Sequence, residues 1–330
     1  MHEPGFWWRK AGLMSALLTP LGLGYGAIAA KRMARRGASA GIPVICVGNF
    51  TLGGAGKTPT AILLTEILRA AGETPFCLTR GYGGSVNGPH LVNIDSDTAA
   101  MVGDEALLLA HAAWTVAGPN RALGAHLAKA KGATVIVMDD GLQNASLAKD
   151  LTVAVIDGQR GIGNAQVFPA GPLRAPLPAQ LARTDALLVV GDAIGADDVV
   201  AQAGERPVFH ARLVPDEKAV TALRGQKVLA FAGIGNPDKF FETVAAAGID
   251  IAQRRAFDDH HRFDAEEAAS LVMTSELEGL TLVTTAKDHA RMTGDPALAA
   301  LALKAQVLPV TMQVDEEAAF RELVLGAVKR

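Results

Sequence analysis

The sequence predicts an α/β fold: a doubly wound, mostly parallel sheet of the P-loop NTPase type, a second, smaller α/β domain, and an N-terminal membrane-associating helix. Three observations carry this. From residue 44 onward, short apolar runs without polar alternation alternate with helix-length stretches, the pattern of strands covered by helices on both faces. The first run leads straight into a glycine-rich loop ending in Gly-Lys-Thr, and then into a helix. The 330 residues exceed one average domain, and the strand–helix pattern restarts near residue 216. The expected organisation is an interfacial helix over 1–36, a nucleotide-binding domain over 37–215, and a smaller domain over 216–330 that closes over the active site.

Between Lys10 and Lys31 lie 20 uncharged residues, long enough to span a bilayer. They include Pro20 and four glycines, and basic residues flank both ends, so the positive-inside rule assigns no orientation. Phe6, Trp7 and Trp8 precede them, and Arg9, Arg32, Arg35 and Arg36 extend the basic flanks. Tryptophan at headgroup depth with Lys and Arg reaching phosphates makes an interfacial anchor on an anionic phospholipid surface the expectation. A core helix and a true span are the alternatives. A secretory signal is rejected, because the nucleotide chemistry below needs cytosolic ATP.

Residues 44–50 (VICVGNF) read as a buried strand, 57–71 as a helix ended by Gly72, 74–80 as a second strand and 91–94 as a third. A helix over 105–113, a short strand at TVAG, a helix over 121–131 and a strand over 134–140 follow. The runs 153–158 and 186–192 complete the apolar strands, and the proline-rich 168–178 reads as a stiff loop. After 207–215 come KVLAFAGIG, a helix over 237–247, and TLVTTAKD.

Composition narrows the functional classes. With 49% hydrophobic and 20% charged residues, the chain is neither disordered nor a disulfide-stapled miniprotein. Cys46 and Cys77 sit inside apolar runs and read as buried free thiols of a reducing compartment. The net charge of −3 is uneven: residues 1–65 carry seven Lys/Arg against Glu3 alone, leaving −9 for the rest. A positive front on an acidic body argues against a nucleic-acid binder. No protein partner is implied.

The loop TLGGAGKTP supplies the chemistry. Gly53, Gly54 and Gly56 let backbone N–H groups turn inward to cradle phosphate oxygens, Lys57 reaches the β/γ-phosphates, and the Thr58 hydroxyl suits Mg²⁺. Thr51 stands where the P-loop pattern has its first glycine. Asp139 follows four apolar residues at the end of a strand, where a carboxylate faces the same Mg²⁺, and Asp140 beside it needs a cation nearby.

The motifs GNFTLGGAGKTP, TRGYGG (79–84), GDE (103–105), DDGLQ (139–143), FPAGPLR (168–174), FDDHH (257–261) and TTAKD (284–288) occur in a specific order. With them the chain resembles the tetraacyldisaccharide 4′-kinases, the lipid A biosynthetic kinases, over nearly its whole length. The resemblance implies transfer of phosphate from ATP to the 4′-hydroxyl of a lipid-tailed, 1-phosphorylated glucosamine disaccharide at the cytoplasmic face of the inner membrane. It puts Lys57 and Thr58 on ATP and Mg²⁺, Asp139 and Asp140 at the metal and Gln143 close by. Asp104 matches the catalytic base, assisted by His260 (or, one residue on, His261), and Arg80 and Arg174 match basic residues near phosphates. A carboxylate positioned to accept a sugar hydroxyl's proton is worth typically about 10²–10⁴-fold. Bringing Asp104 and His260 together from two domains implies closure over the substrate. Four positions depart from the family pattern: Ala106, Asn144, Ala175 and Ala286. Two other readings remain at this level. A GTPase should carry Asn-Lys-x-Asp, which is absent; a membrane-anchored assembly ATPase, or another P-loop small-molecule kinase, would share the phosphate loop.

Overall fold

The structure is a computed structural model that describes residues 3–329. Met1 and His2 of the expected interfacial segment, and Arg330 at the far end, lie outside the described residues. In chain order the strands are β1 (Val44–Gly48), β2 (Pro75–Thr79), β3 (His90–Leu91), β4 (Thr115–Ala117), β5 (Val135–Met138), β6 (Leu151–Asp157), β7 (Ala186–Val190), β8 (Val208–Pro215), β9 (Lys227–Ala232), β10 (Asp250–Ala256), β11 (Thr281–Thr284), β12 (Gln306–Val307) and β13 (Val310–Val314). Nine form one sheet in the order β13-β8-β7-β6-β1-β5-β2-β4-β3, and four form a second in the order β10-β9-β11-β12. Every pairing is parallel except the two edges of the large sheet, β3 on β4 and β13 on β8. The α/β expectation therefore holds.

Burial explains the continuous apolar runs. All residues of β1, β2, β5, β6 and β7 are buried, because helices cover both faces of the large sheet. On one face Leu64 and Leu68 of the helix Lys57–Ala70 and Leu109 of the helix Asp104–Ala112 pack with Phe320 and Val324 of the helix Glu317–Val328. On the other, Ala125 and Ala128 cover the β2–β5 half, and Leu177, Leu181 and Val199 the β6–β7 half. The small sheet is covered by Phe240, Phe241 and Val244 on one side and by Leu271, Met292 and Leu301 on the other.

The end of the chain differs from the expected 216–330 boundary. β13 returns to the large sheet beside β8, and the last helix packs with Ile67 and Leu68. The small sheet thus ends at β12, and the chain crosses between the two sheets twice, after β8 and before β13. An edge strand such as VTMQV carries nothing local that says which sheet it joins. The expected strand at 91–94 is likewise only the pair His90–Leu91.

The front end also needs correction. The helix Leu13–Met33 is long and apolar enough to cross a membrane, with mean hydropathy 1.5. Its buried residues Ser15, Gly22, Gly26 and Met33 form one stripe. A Cβ on Gly22 would stand 2.8 Å from the Val167 carbonyl oxygen, so only glycine lets the helix lie against the 165–176 loop there. Trp7, expected at headgroup depth, is instead 5% exposed. Its Nε1 donates to the Pro169 carbonyl at 3.1 Å, and its ring meets Phe168 edge-on. Trp8 lies under the Arg160 guanidinium and donates to Glu3. Tryptophan suits a protein interior as well as a headgroup layer once its N–H finds an acceptor. The exposed apolar residues are Leu13, Met14, Leu17, Leu21, Leu23, Tyr25 and Ile28 of the helix itself.

Candidate active site

β1 lies between β6 and β5, and the loop leaving its carboxyl end is where open α/β sheets bind ligands. Gly53 (φ +96°) and Gly56 (φ +93°) take backbone conformations that L-residues avoid, and Gly56 starts the helix Lys57–Ala70. Asn49 braces the loop by donating to the Gly53 carbonyl at 3.2 Å, and the buried Lys57 reaches the same oxygen at 3.4 Å. Thr51 is buried and bridges to Leu173. Gly54 has open space where a side chain would project, so nothing in the protein itself demands glycine there.

Asp139, one residue past β5, is 1% exposed. The Thr58 hydroxyl donates to its Oδ2 at 3.5 Å, while its Oδ1 has no hydrogen-bond partner among the described residues. Burial, then the charges of Glu105 and Asp140, push its carboxyl up to about 7. Asp140 stands differently. At φ +49° it accepts from Arg174 Nη1 at 3.0 and 3.1 Å and lies 3.8 Å from Lys57 Nζ. Burial alone would raise the Asp140 carboxyl, but Lys57 and Arg174 hold it well below the usual carboxylate range. Arg174 also donates to the Thr51 carbonyl at 2.8 Å, tying the proline-rich loop to the phosphate loop. Gln143 is engaged by the Asn49 carbonyl and the Gln180 side chain. Arg80 is exposed at the end of β2.

Across the cleft, Asp104 opens the helix Asp104–Ala112 and is 4% exposed. Gly103 before it has φ +88°, and a Cβ there would stand 2.5 Å from the Tyr82 carbonyl oxygen. The TRGYGG and GDE motifs are therefore two halves of one close backbone contact. His260 Nδ1 lies 3.4 Å from Asp104 Oδ2, and its ring sits against Tyr82. His260 itself has φ +57°, an uncommon conformation for a non-glycine residue and one that clusters at functional sites. His261 instead hydrogen-bonds Glu267 and stacks on Phe257; of the two histidines, His260 faces the carboxylate.

The sequence reading did not single out Arg291. From the helix Ala286–Met292 its Nε donates to Asp104 Oδ2 at 2.7 Å. One turn back from Arg291, Lys287 meets Glu105, one residue on from Asp104, at 2.7 Å. The only available signal was spacing: Lys287 and Arg291 stand four apart, on one helical face. Burial would raise the Asp104 carboxyl, but the His260 hydrogen bond and the Arg291 and Lys287 charges hold it far below its ordinary value. Glu105 is lowered chiefly by Lys287, opposed by burial, and also feels Lys57. Glu105 thus lies within electrostatic reach of the phosphate loop.

A glycine-rich loop between strand and helix, a Lys and a Thr at its end, a buried carboxylate under the Thr, and an ionised carboxylate across the cleft define a P-loop phosphotransferase. The family model for tetraacyldisaccharide-1-P 4′-kinase matches residues 14–329. Proteins named tetraacyldisaccharide 4′-kinase from Nitrobacter hamburgensis and Nitrobacter winogradskyi are 54% and 52% identical over 332 residues. These alignments cover 100% of this chain and 99% and 98% of the relatives. The fold is similar to that of a crystal structure described as "apo" form LpxK from Aquifex aeolicus in complex with ATP. Its TM-score is 0.74 at 24% identity, over 96% of this chain and 100% of that one. The chain belongs to the tetraacyldisaccharide-1-P 4′-kinase family.

Proposed function

We propose that the chain transfers the γ-phosphoryl group of ATP to the 4′-hydroxyl of a tetraacylated glucosamine disaccharide 1-phosphate in lipid A biosynthesis. The observation that carries this reading is the Asp104–His260 contact. It is assembled from two domains at 3.4 Å, beside a carboxylate that feels Lys57. Asp104, kept ionised, accepts the hydroxyl proton, and His260 orients it. Lys57 follows charge on the β/γ-phosphates. Open space at Gly54 lets a phosphate approach the backbone. Arg174 and Arg80 are offered to phosphate groups of either substrate.

The donor set fits Mg²⁺: the Thr58 hydroxyl, and Asp139 with an orphaned buried oxygen. Both are hard oxygen ligands, and this cation usually takes the rest of its shell from phosphates and water. When bound, it would neutralise charge on the β- and γ-phosphate oxygens. Asp140 joins that shell only if its pairs with Arg174 and Lys57 part.

The enzyme works as a peripheral, monotopic protein at the cytoplasmic face of the inner membrane. The Ser15–Gly22–Gly26–Met33 stripe is committed to the protein, so the helix presents its opposite, leucine-rich face to an anionic phospholipid surface. The test is thin-layer separation of labelled product after incubation with labelled ATP and the lipid disaccharide 1-phosphate. Phosphorylated lipid supports the assignment. ATP hydrolysis without it would move the chain to the assembly-ATPase reading.

A further inference from the structure

Asp104 is the centre of a group larger than the acid–base pair. Its Oδ2 receives Arg291 Nε at 2.7 Å, has Arg291 Nη2 at 2.7 Å and faces His260 Nδ1 at 3.4 Å. Its Oδ1 accepts only the Glu105 N–H, at 2.9 Å, among the described residues. The cations on one side therefore leave the second oxygen with a lone pair for a substrate hydroxyl. Arg291 is itself clamped from behind. Its Nη1 donates to Asp288 Oδ1 at 2.8 Å and to the Gly233 carbonyl at 2.7 Å. Asp288 is fully buried and fixed in turn by the Gly233 N–H and the Thr285 hydroxyl. The same Gly233 carbonyl accepts the His260 backbone N–H at 3.1 Å. One peptide of the small domain thus sets the position of both His260 and Arg291.

We propose that Arg291 is a positioning residue for the Asp104 base: clamped by Asp288 and Gly233, it grips Oδ2 and orients Oδ1 toward the acceptor hydroxyl. The proposal rests on Asp104 being the base. A guanidinium suits this place, because its planar fork spans two carboxylates and a carbonyl, which a lysine ammonium matches less well. Asp104, Tyr82, His260 and Arg291 line one cavity of about 150 Å³ that also meets Arg262 and Asp295. A small cation can therefore reach the place of a truncated Arg291 side chain.

The experiment compares Arg291→Ala, Arg291→Lys and Asp104→Asn in the full-length enzyme. Arg291→Ala should lower kcat at least tenfold while KM for ATP stays within about twofold, a loss inside the range of a base's contribution. Arg291→Lys should keep part of that activity, and guanidinium ion at tens of millimolar should restore Arg291→Ala but not Asp104→Asn. The groups facing Asp104 are His260, Arg291, Lys287 and Glu105, with Asp288 behind Arg291. Losing one of these cations should move the acid limb of kcat/KM to higher pH. Should Arg291→Ala fail to fold, the Lys variant carries the test through its pH profile. Turnover within twofold of wild type in Arg291→Ala overturns the proposal. So does a loss that neither guanidinium nor lysine repairs, with the acid limb unmoved. Full turnover in Asp104→Asn overturns the base assignment itself, whatever Arg291 does, so the two failures are separable.

Discussion

The proposed membrane contact gives the most direct quantitative test. Leu17 and Leu21 are 65% and 64% exposed on the outward face of the helix Leu13–Met33. Fully burying a leucine side chain is worth about 1.5–3 kcal/mol, so sinking the open two-thirds of each into a lipid interface returns about 1–2 kcal/mol. Leu17→Ser with Leu21→Ser should therefore weaken binding to vesicles by about 2–4 kcal/mol, roughly 30- to 1,000-fold at 1.4 kcal/mol per decade. Co-sedimentation with vesicles of phosphatidylethanolamine and phosphatidylglycerol measures it directly. Trp7→Ser is the contrast: it should lower the unfolding temperature, because Trp7 packs on Phe168 inside the protein. Raising salt should weaken the contribution of Lys31, Arg32, Arg35 and Arg36 but not that of the leucines. Unchanged vesicle partition of the double serine variant would refute this orientation of the helix. Extraction resistant to salt and carbonate would instead favour a spanning helix.

Three further outcomes follow from the site. Lys57→Ala should fold normally, since Asp140 keeps Arg174 as a partner, yet lose at least about 10²-fold in phosphoryl transfer; near-normal turnover removes the phosphate-loop assignment. Asp104→Ala should cost more than His260→Ala, and the double variant should be little worse than Asp104→Ala, because residues acting as one unit are non-additive; losses that multiply show independent action. Acid unfolding tests the charge of Asp104. Its folded pKa is depressed, so its stabilisation is present above the ordinary value of 3.8 and lost as pH falls through the folded value. The difference in Tm between wild type and Asp104→Asn should therefore shrink progressively as pH falls below about 4, and a difference that stays unchanged between about pH 5 and pH 2 contradicts the pairing with Arg291.

The large sheet was readable because strands buried on both faces are apolar almost throughout: β1, β5 and β7 are apolar at every position, and β6 departs only at Thr152 and Asp157. The phosphate loop was readable because its glycines, lysine and threonine are consecutive. What escaped has no local pattern. Arg291 reaches Asp104 across 187 positions of sequence, and an arginine in a short helix looks the same whether it meets solvent or a buried carboxylate. Lys287 likewise reaches Glu105 across 182 positions. Asp140 could be seen to need a cation, but Arg174, which supplies one, lies 34 positions on. Trp7 misled because the apolar body and polar edge that suit a lipid interface equally suit a pocket with one free carbonyl.

The division of the site between two sheets has a mechanistic consequence. The large sheet carries the groups proposed to bind a triphosphate: the loop after β1, Thr58, and Asp139 after β5. Asp104 and Glu105 belong to it as well, yet the partners that organise them, His260, Lys287 and Arg291, arrive from the small domain. Parallel pairs, Asp104–Arg291 and Glu105–Lys287, tie the helix Asp104–Ala112 to the helix Ala286–Met292. Arg262 adds a third tie by donating to the Gly83 carbonyl at 2.8 Å. Among the described residues, the chain crosses between the two sheets only twice. An enzyme whose acceptor is a lipid at a membrane and whose donor is a soluble nucleotide must avoid spending the donor on water. On the proposed reading, a base carried by the large sheet but oriented from the small one would meet that need, because the carboxylate would be oriented only while the two stay together.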